Sequence, residues 1–580
     1  MDRNKLELSP EKITGLDLET LVRKTTELNR KNQETYTTPF PKNHSRLESQ
    51  YHFEPKPIDF TRQGEVEGGL SWLVGSLFDL SFTRSLFARY YSKEGGHCFD
   101  PASLFFLELA VKLDGYSSYS SFCEDLRQQD NGRRYRELAG IKSSIPGEDD
   151  LHNFRDRVGS EPIDSTIAIF VGFLRQIDLI NGEVLCTDGQ LEPSNSRYRG
   201  CAHFCARCLH FPVGADQKKE MSQQILSGAK RIQITCPFPE TVEKVRKATE
   251  KKGNALEPKV ALLEVKLLPS DDLHRSDTLK VAKLLDMDEP ELPALRIKWS
   301  RLAKDDQGNL FGRCAKVPSD LDARVGYHID NKNPDKKERV FGYLQERTTT
   351  INVVLGLELP VACSTHPANA DEGNLFLSHR DKVPVPYRPR QLHDLDAGYD
   401  QKDIYLTLTS KGVIPLIDYN PRRENLSSEA LLARGYDRFG TPYAPCGRLC
   451  RSNGYDYGTQ SRQYVCGLAC PEQERSQCAH GGKALGYSHR MSFLQHPRLI
   501  GPIQRGTRDW NIFYGLRTAS ERTNSYSQEV IDEGKPPRFR GLKAFTFAEA
   551  IRTLGHLLRK AMNFILNATY TLGRLHPLRV

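Results

Sequence analysis

The 580-residue sequence predicts an α/β fold: a mixed sheet flanked by helices, preceded by an all-helical segment and interrupted by cysteine-rich insertions. Three observations predict it. Apolar residues recur at helical spacing from about 70 to 180 and then switch to short strand-like runs. From Glu183 onward strand and helix patterns alternate. Of the 14 cysteines, four cluster in Cys201–Cys236 and five in Cys446–Cys478. A chain of this length exceeds one ordinary core and divides into several domains.

Residues 1–65 read as a polar, partly ordered arm with one short helix near Leu16–Leu28. A helical domain follows over 66–181. Leu104, Leu107 and Val111 share a helix face inside ASLFFLELAVKLDG, which stops at Gly115. Ser118–Gln129 and Glu148–Val158 are shorter helices, and Ile163–Ile180 is a longer apolar one opened by Pro162. Short helices joined by tight turns suit a helix-turn-helix DNA reader, and they suit a plain helical bundle equally well.

The period then changes. Glu183–Thr187 is a strand that ends in Asp188 and Gly189. Strands resume at Val340–Leu355 and Leu359–Thr365, joined by a turn at Gly356. Ala370–His379 is helical, Gln391–Asp396 a strand, Asp400–Ser410 a helix and Val413–Asp418 a strand. Trp510–Tyr526 and Phe545–Leu566 are helices, the last with Ile551, Leu554, Leu558, Met562 and Ile565 on its apolar face. The expected divisions are a first catalytic part over 182–428 with a Cys-containing insertion at about 197–335, a Cys-rich insertion at 429–500, and a completing segment with the C-terminal helix at 501–580. Without the insertions the order is β-ββ-α-β-α-β-α, the element order of the RNase H-like fold. It would bring Asp188, Asp396 and Glu521 to one sheet edge.

Charge bounds the partners. The net charge is +8, and residues 501–580 carry 13 Lys or Arg against 6 Asp or Glu. A polyanion fits this, as does a solvated basic face. The same two readings hold for the basic stretch Lys218–Lys259. No 18-residue apolar stretch occurs and the N-terminus lacks a signal-peptide core, so a cytoplasmic protein with no membrane partner is expected.

Three carboxylates on rigid elements suit two Mg²⁺ ions, or Mn²⁺, for phosphodiester chemistry. Tyr514, Arg517 and Glu521, at i, i+3 and i+7, line one helix face and would present a hydroxyl, a phosphate-binding guanidinium and a metal ligand together. An exposed, charged helix has the same spacing. Asp394 shares a strand face with Asp396 and competes for its role. Asp400 and Glu529 read as solvated charges. Trp510 suits either a displaced base or the core.

YGLRTASE resembles the Tyr-x2-Arg-x3-Glu signature of the DDE transposases of bacterial insertion sequences, at Tyr514, Arg517 and Glu521. LDAGYD resembles the segment of that family's second aspartate, which favours Asp396. CTDGQL resembles the segment of the first, at Asp188. FGYLQE and LPVACSTHPANADEG resemble the strand pair between them, and FDPASLFFLELAVKLDGYSSYSSFCEDL the N-terminal DNA-binding domain. The family continues with six residues and a Lys, where this chain has Gln528. The resemblance spans about 70–570. It implies metal-dependent cleavage at transposon ends, attack of the freed 3′-hydroxyl on target DNA, Tyr514 and Arg517 as DNA contacts, and a homodimer on paired double-stranded ends.

Cys201, Cys205, Cys208 and Cys236 suit a structural tetrathiolate Zn²⁺ site, with His203 and His210 as alternative ligands. The x3, x2 spacing also matches radical-SAM iron–sulfur ligands, but no half-barrel or glycine-rich nucleotide segment accompanies it. Cys446, Cys450, Cys466, Cys470 and Cys478 suit a second zinc site with one cysteine spare or His480 competing. Free thiols remain the alternative for both sets. The competing functions are an RNase H-like nuclease that cuts without joining and a zinc-dependent DNA-binding protein.

Overall fold

A computed structural model describes residues 18–42, 46–56, 69–94, 96–142, 144–197, 322–330, 333–422, 424–466, 470–531 and 539–570. Within 198–321 it describes 219, 222–224, 227, 231–235, 261–269, 295–297, 302–304, 310–312, 319 and 320.

The helices begin with α1 (Leu18–Thr35), which runs well past the short helix expected there. They continue with α2 (Gly69–Leu77), α3 (Thr83–Phe87), α4 (Pro101–Leu113), α5 (Tyr119–Arg127), α6 (Arg133–Leu138), α7 (Glu148–Val158) and α8 (Glu161–Gln176). Local chemistry sets their ends. Asp100 caps α4 by accepting from the Ala102 N–H, with Pro101 at the first helical position. α7 carries three acids in its first turn and two arginines in its last, complementing the helix dipole. α8 stops before Ile180, because the chain turns at Asp178 with φ +56°.

The sheet centres on β1 (Val184–Pro193). β2 (Arg324–Asp330), β3 (Asn333–Asn352) and β4 (Leu357–Pro367) follow, then β5 (Leu392–Leu395) and β6 (Ile414–Ile417). The path runs β6-β5-β1-β3, and both β2 and β4 pair with β3. β1 is antiparallel to β3 and parallel to β5, and β5 is parallel to β6. The parallel strands need crossovers. Helices α9 (Glu372–Lys382) and α10 (Lys402–Ser410) supply them. Gly356, at φ +62°, makes the tight β3–β4 turn. β1 does not end at Asp188. It pairs with β3 from Val184↔Ile351 to Pro193↔Gly342, so Asp188 lies mid-strand.

Strands also occur in the two stretches read as cysteine-containing insertions. In the first insertion Arg231–Thr235, Ala261–Pro269 and Leu295–Ile297 form one small sheet. In the second, after α11 (Ser428–Arg434), β7 (Arg451–Asp456), β8 (Ser461–Val465) and β9 (Ser488–Ser492) form an antiparallel sheet. The chain then enters α12 (Arg508–Tyr514), a 3₁₀ turn at Gly515–Arg517, and α13 (Thr518–Tyr526). This replaces the single helix expected over Trp510–Tyr526.

The final helix α14 (Leu542–Tyr570) joins the parts. It packs on β4 and on α4, α7 and α8. Its expected apolar face, Ile551, Leu554, Leu558, Met562 and Ile565, is buried throughout. One continuous core therefore includes the helices of 69–176, the β4 side chains Leu357, Leu359 and Val361, and α14. No helix among the described residues is long and apolar enough to cross a membrane. Leu558→Ala removes side-chain volume from the middle of this core and should cost about 2–5 kcal/mol. Urea unfolding measures it, with one cooperative loss expected for the helices and the sheet together.

Candidate active site

Strand alternation sorts the side chains of β1 onto two faces. Cys186 and Asp188 face α12 and α13. Thr187 and Gly189 face α9. The β1–β5 register pairs Thr187 with Leu395, which sets Asp188 beside Asp396 just beyond the end of β5. α13 contacts β1 and β3, and the turn before it contacts β1 and β5. Three segments distant in sequence thus bring Asp188, Asp396 and Glu521 to one edge.

Arg517 is their counter-ion. Its guanidinium hydrogen-bonds the Glu521 carboxylate, and its Nη1 lies 3.9 Å from Asp188 Oδ1. It also sits 5.9 Å from the Tyr514 ring centroid. The break between α12 and α13 therefore leaves Tyr514, Arg517 and Glu521 on one side, as the spacing predicts. Asp188 is fixed from behind. Asn524, one turn after Glu521, donates from Nδ2 to Asp188 Oδ2 at 3.2 Å. Arg347, the register partner of Asp188 on β3, donates from Nη1 to Asn524 Oδ1 at 2.7 Å. Arg347 pairs in turn with the buried Glu549 of α14.

Asp188 and Asp396 resist ionisation. Burial raises Asp188 to about 6, Asp396 and Glu521 push the same way, and Arg517 opposes them. Burial also raises Asp396, eased by the backbone N–H of Gly398, which donates to its Oδ1 at 2.7 Å. A fourth acid, Glu372 at the first position of α9, is raised to about 8 by burial and by the charges of Asp396, Asp188, Glu346 and Asp371. Glu346 of β3 is wholly buried and raised to about 8, its neighbour Tyr399 offsetting only part of the burial. An oxygen donor set of this kind fits a hard divalent cation. Among the described residues no group of three or more His, Cys, Asp or Glu side chains is placed to hold a metal ion. Arg517 supplies the compensating charge.

The competing acids separate by burial. Asp394 is wholly enclosed, with the Cys186 thiol donating to it at 3.7 Å, whereas Asp396 reaches the open edge. Asp400 is not solvated. It is buried against Arg498 at 2.6 Å and accepts from the Tyr405 hydroxyl and the Asn420 N–H. The short turn after β5 carries it inward. Glu529 is exposed. Trp510 is a core residue, stacked on Tyr514 at 5.3 Å between centroids. Gln528 lies in a π-helical turn, Ser527–Ile531. Sequence reasoning missed Glu372. Its signal was present but ambiguous, since acids at a helix start are ordinary dipole partners.

Cys201, Cys205, Cys208 and Cys236 lie outside the described residues, as do the ring alternatives His203 and His210. In the second insertion Cys450 is buried, and its thiol is pushed up to about 11 by burial and by the neighbouring Cys466 and Cys446. Arg448 feels both Cys470 and Cys446. The Tyr487 N–H donates to Cys466 Sγ at 3.1 Å. Cys478 instead accepts from the His480 N–H at 3.4 Å.

Compared with protein-family models, curated proteins and solved structures, the chain matches none.

A carboxyl raised in the fold keeps its proton where the unfolded chain has lost it. Its stabilising share is present at low pH and disappears as pH rises through the folded value. Buried His379, depressed to about 3, acts with the opposite sign, but only below about pH 6.5. Between about pH 6.5 and 8.5 the thermal midpoint in cation-free buffer should therefore fall as Glu346 and Glu372 ionise. Glu346→Gln should flatten that slope. A midpoint that rises with pH in this window contradicts the assignment.

Proposed function

We propose that this chain is a DNA transposase of an insertion sequence, cutting at transposon ends and joining them to target DNA. The observation that carries the reading is the convergence of Asp188, Asp396 and Glu521, from three distant segments, on one edge of the sheet beside Arg517. The strand arrangement supports an RNase H-like catalytic domain. An antiparallel set β4-β3-β1 is extended by the parallel strands β5 and β6, and a late helix carries the third acid.

Asp188, Asp396 and Glu521 would hold Mg²⁺ or Mn²⁺, which when bound supplies activation of the attacking hydroxyl and neutralisation of the leaving oxygen. Arg517 is drawn from its carboxylate partners to a DNA phosphate, for which its planar fork is suited. The Tyr514 hydroxyl stands beside it for the same strand. Asn524 and Arg347 keep Asp188 in one orientation through the reaction, so that catalysis rests on positioning and charge. The helices of 69–176 and the basic C-terminal segment are the proposed surfaces for double-stranded ends and target, engaged by a homodimer in the cytoplasm.

End cleavage by purified protein with Mg²⁺ or Mn²⁺ tests the assignment. Glu521→Gln, Asp188→Asn and Asp396→Asn should each abolish cleavage and strand transfer while binding of end DNA stays within about threefold of wild type, since specific affinity rests on phosphate and groove contacts elsewhere. Loss of binding in parallel contradicts it. Cleavage without strand transfer from a pre-cut end would identify a nuclease.

For the second insertion we propose structural Zn²⁺ on Cys446, Cys450, Cys466 and Cys470, with Cys478 spare. The supporting features are the shared neighbourhood of these thiols and the amide donor to Cys466, a pattern that stabilises thiolate ligands. The Cys201 set is proposed as a second zinc site from its spacing alone. Chelation should change the circular dichroism of the folded chain, and Cys466→Ser should lower the bound zinc by one equivalent. A metal-free preparation with an unchanged spectrum excludes zinc.

A further inference from the structure

Glu372 approaches the site from the face of the sheet opposite α13. Two glycines leave it room. A Cβ on Gly189, the residue after Asp188, would fall 2.2 Å from Glu372 Oε1. A Cβ on Gly398 would fall 3.1 Å from Glu372 Oε2 and 2.9 Å from Asp396 Oδ1. A side chain at Gly189 would push the Glu372 carboxylate aside, and one at Gly398 would crowd both Glu372 and Asp396.

Behind it stands Glu346. The register Gly189↔Glu346 sends the Glu346 side chain to the same face as Glu372. Glu346 is 0 % exposed, and among the described residues neither of its carboxyl oxygens has a hydrogen-bond partner. α9 is held rigidly over this spot. His379 Nε2 is 2.8 Å from Thr348 Oγ1, and its Nδ1 is 2.8 Å from Ser364 Oγ. Thr348 in turn bonds Thr187, the residue before Asp188.

A carboxylate kept for structure is given a cation or several donors, because burying it otherwise costs several kcal/mol. Among the described residues no ion pair reaches Glu372, and the charges acting most strongly on it are all negative. An acid enclosed by acids, on a fixed helix, with backbone cleared for it, is arranged for a positive ligand.

We propose that Glu372 is a fourth carboxylate ligand of the divalent cation held by Asp188 and Asp396, an inference that rests on the metal-site reading above. Glu521 and Glu372 then close on the aspartate pair from opposite faces of the sheet. Their roles differ. Glu521 is half exposed and tied to Arg517, so it is free to exchange partners as DNA enters. Glu372 is fixed by α9 and keeps the cation in place between steps.

Mn²⁺ binding to the full-length chain, followed by calorimetry and by the Mn²⁺-induced rise in thermal midpoint, tests this without reference to activity. Wild type should bind Mn²⁺ and Asp188→Asn should lose binding. E372Q should bind at least about tenfold more weakly, with most of the midpoint rise gone. In cation-free buffer E372Q should melt at or above wild type, because a repelling carboxylate has been removed. Wild-type affinity in E372Q, with Asp188→Asn still defective, removes Glu372 from the ligand set and leaves the site intact. A cation-free midpoint below wild type makes Glu372 a structural residue. If wild type and Asp188→Asn both ignore Mn²⁺, the metal-site reading itself fails.

Discussion

The Arg347 guanidinium, 2 % exposed at the centre of β3, is the constraint on which the candidate site depends. A buried cation must be paired, and each of its partners belongs to a different segment. Glu549 comes from the final helix, and Asn524 comes from the helix that carries Glu521. Asn524 spends its other end on Asp188. Arg552 extends the same chain, bridging Glu549 at 2.8 Å to Glu192 further along β1. One buried ionic network therefore fixes the angle of α14, the depth of α13 and the orientation of the first aspartate. Its worth lies in specificity of arrangement more than in stability, because desolvation offsets much of the attraction.

Much of this architecture was legible in the chain. The switch in apolar period near 183 marked the start of the sheet, and the apolar face of α14 was readable residue by residue. Both signals are local. The extension of β1 past Asp188 was not legible, since Gly189, Gln190 and Glu192 break the apolar run. Those residues pair with β3 instead of making an apolar face, and Glu192 is buried with Arg552 as an ion partner. The strands β7, β8 and β9 were hidden for a related reason. β7 is almost wholly exposed and polar, so nothing in its pattern separates it from a loop.

The acids of the site show the same division. Asp188 and Glu521 were legible as candidates because each sits beside a recognisable neighbour, a strand or an Arg at helical spacing. Asp394 and Asp396 were inseparable by spacing, and only depth distinguishes them. Asp400 was misjudged because its ion partner, Arg498, is almost a hundred residues away. Glu372 stayed ambiguous because its placement depends on what Gly189 and Gly398 lack. No single-sequence pattern reports an absent Cβ.

These acids also bear on what the fold tolerates. Natural chains rarely bury several like charges together, because each raises the cost of ionising the next. Here Asp188, Asp396, Glu346 and Glu372 do so around one edge, with Arg517 the cation closest to the aspartates on the open side. The stability lost to that repulsion must be offset elsewhere. The continuous apolar core under α14 is placed to do this, while the ionic chain through Arg347 reaches Asp188 by way of Asn524 and fixes its orientation. The site is therefore strained electrostatically and rigid mechanically. That combination leaves Asp188 held in one orientation by Asn524, with the Arg517 guanidinium as its counter-charge on the open side.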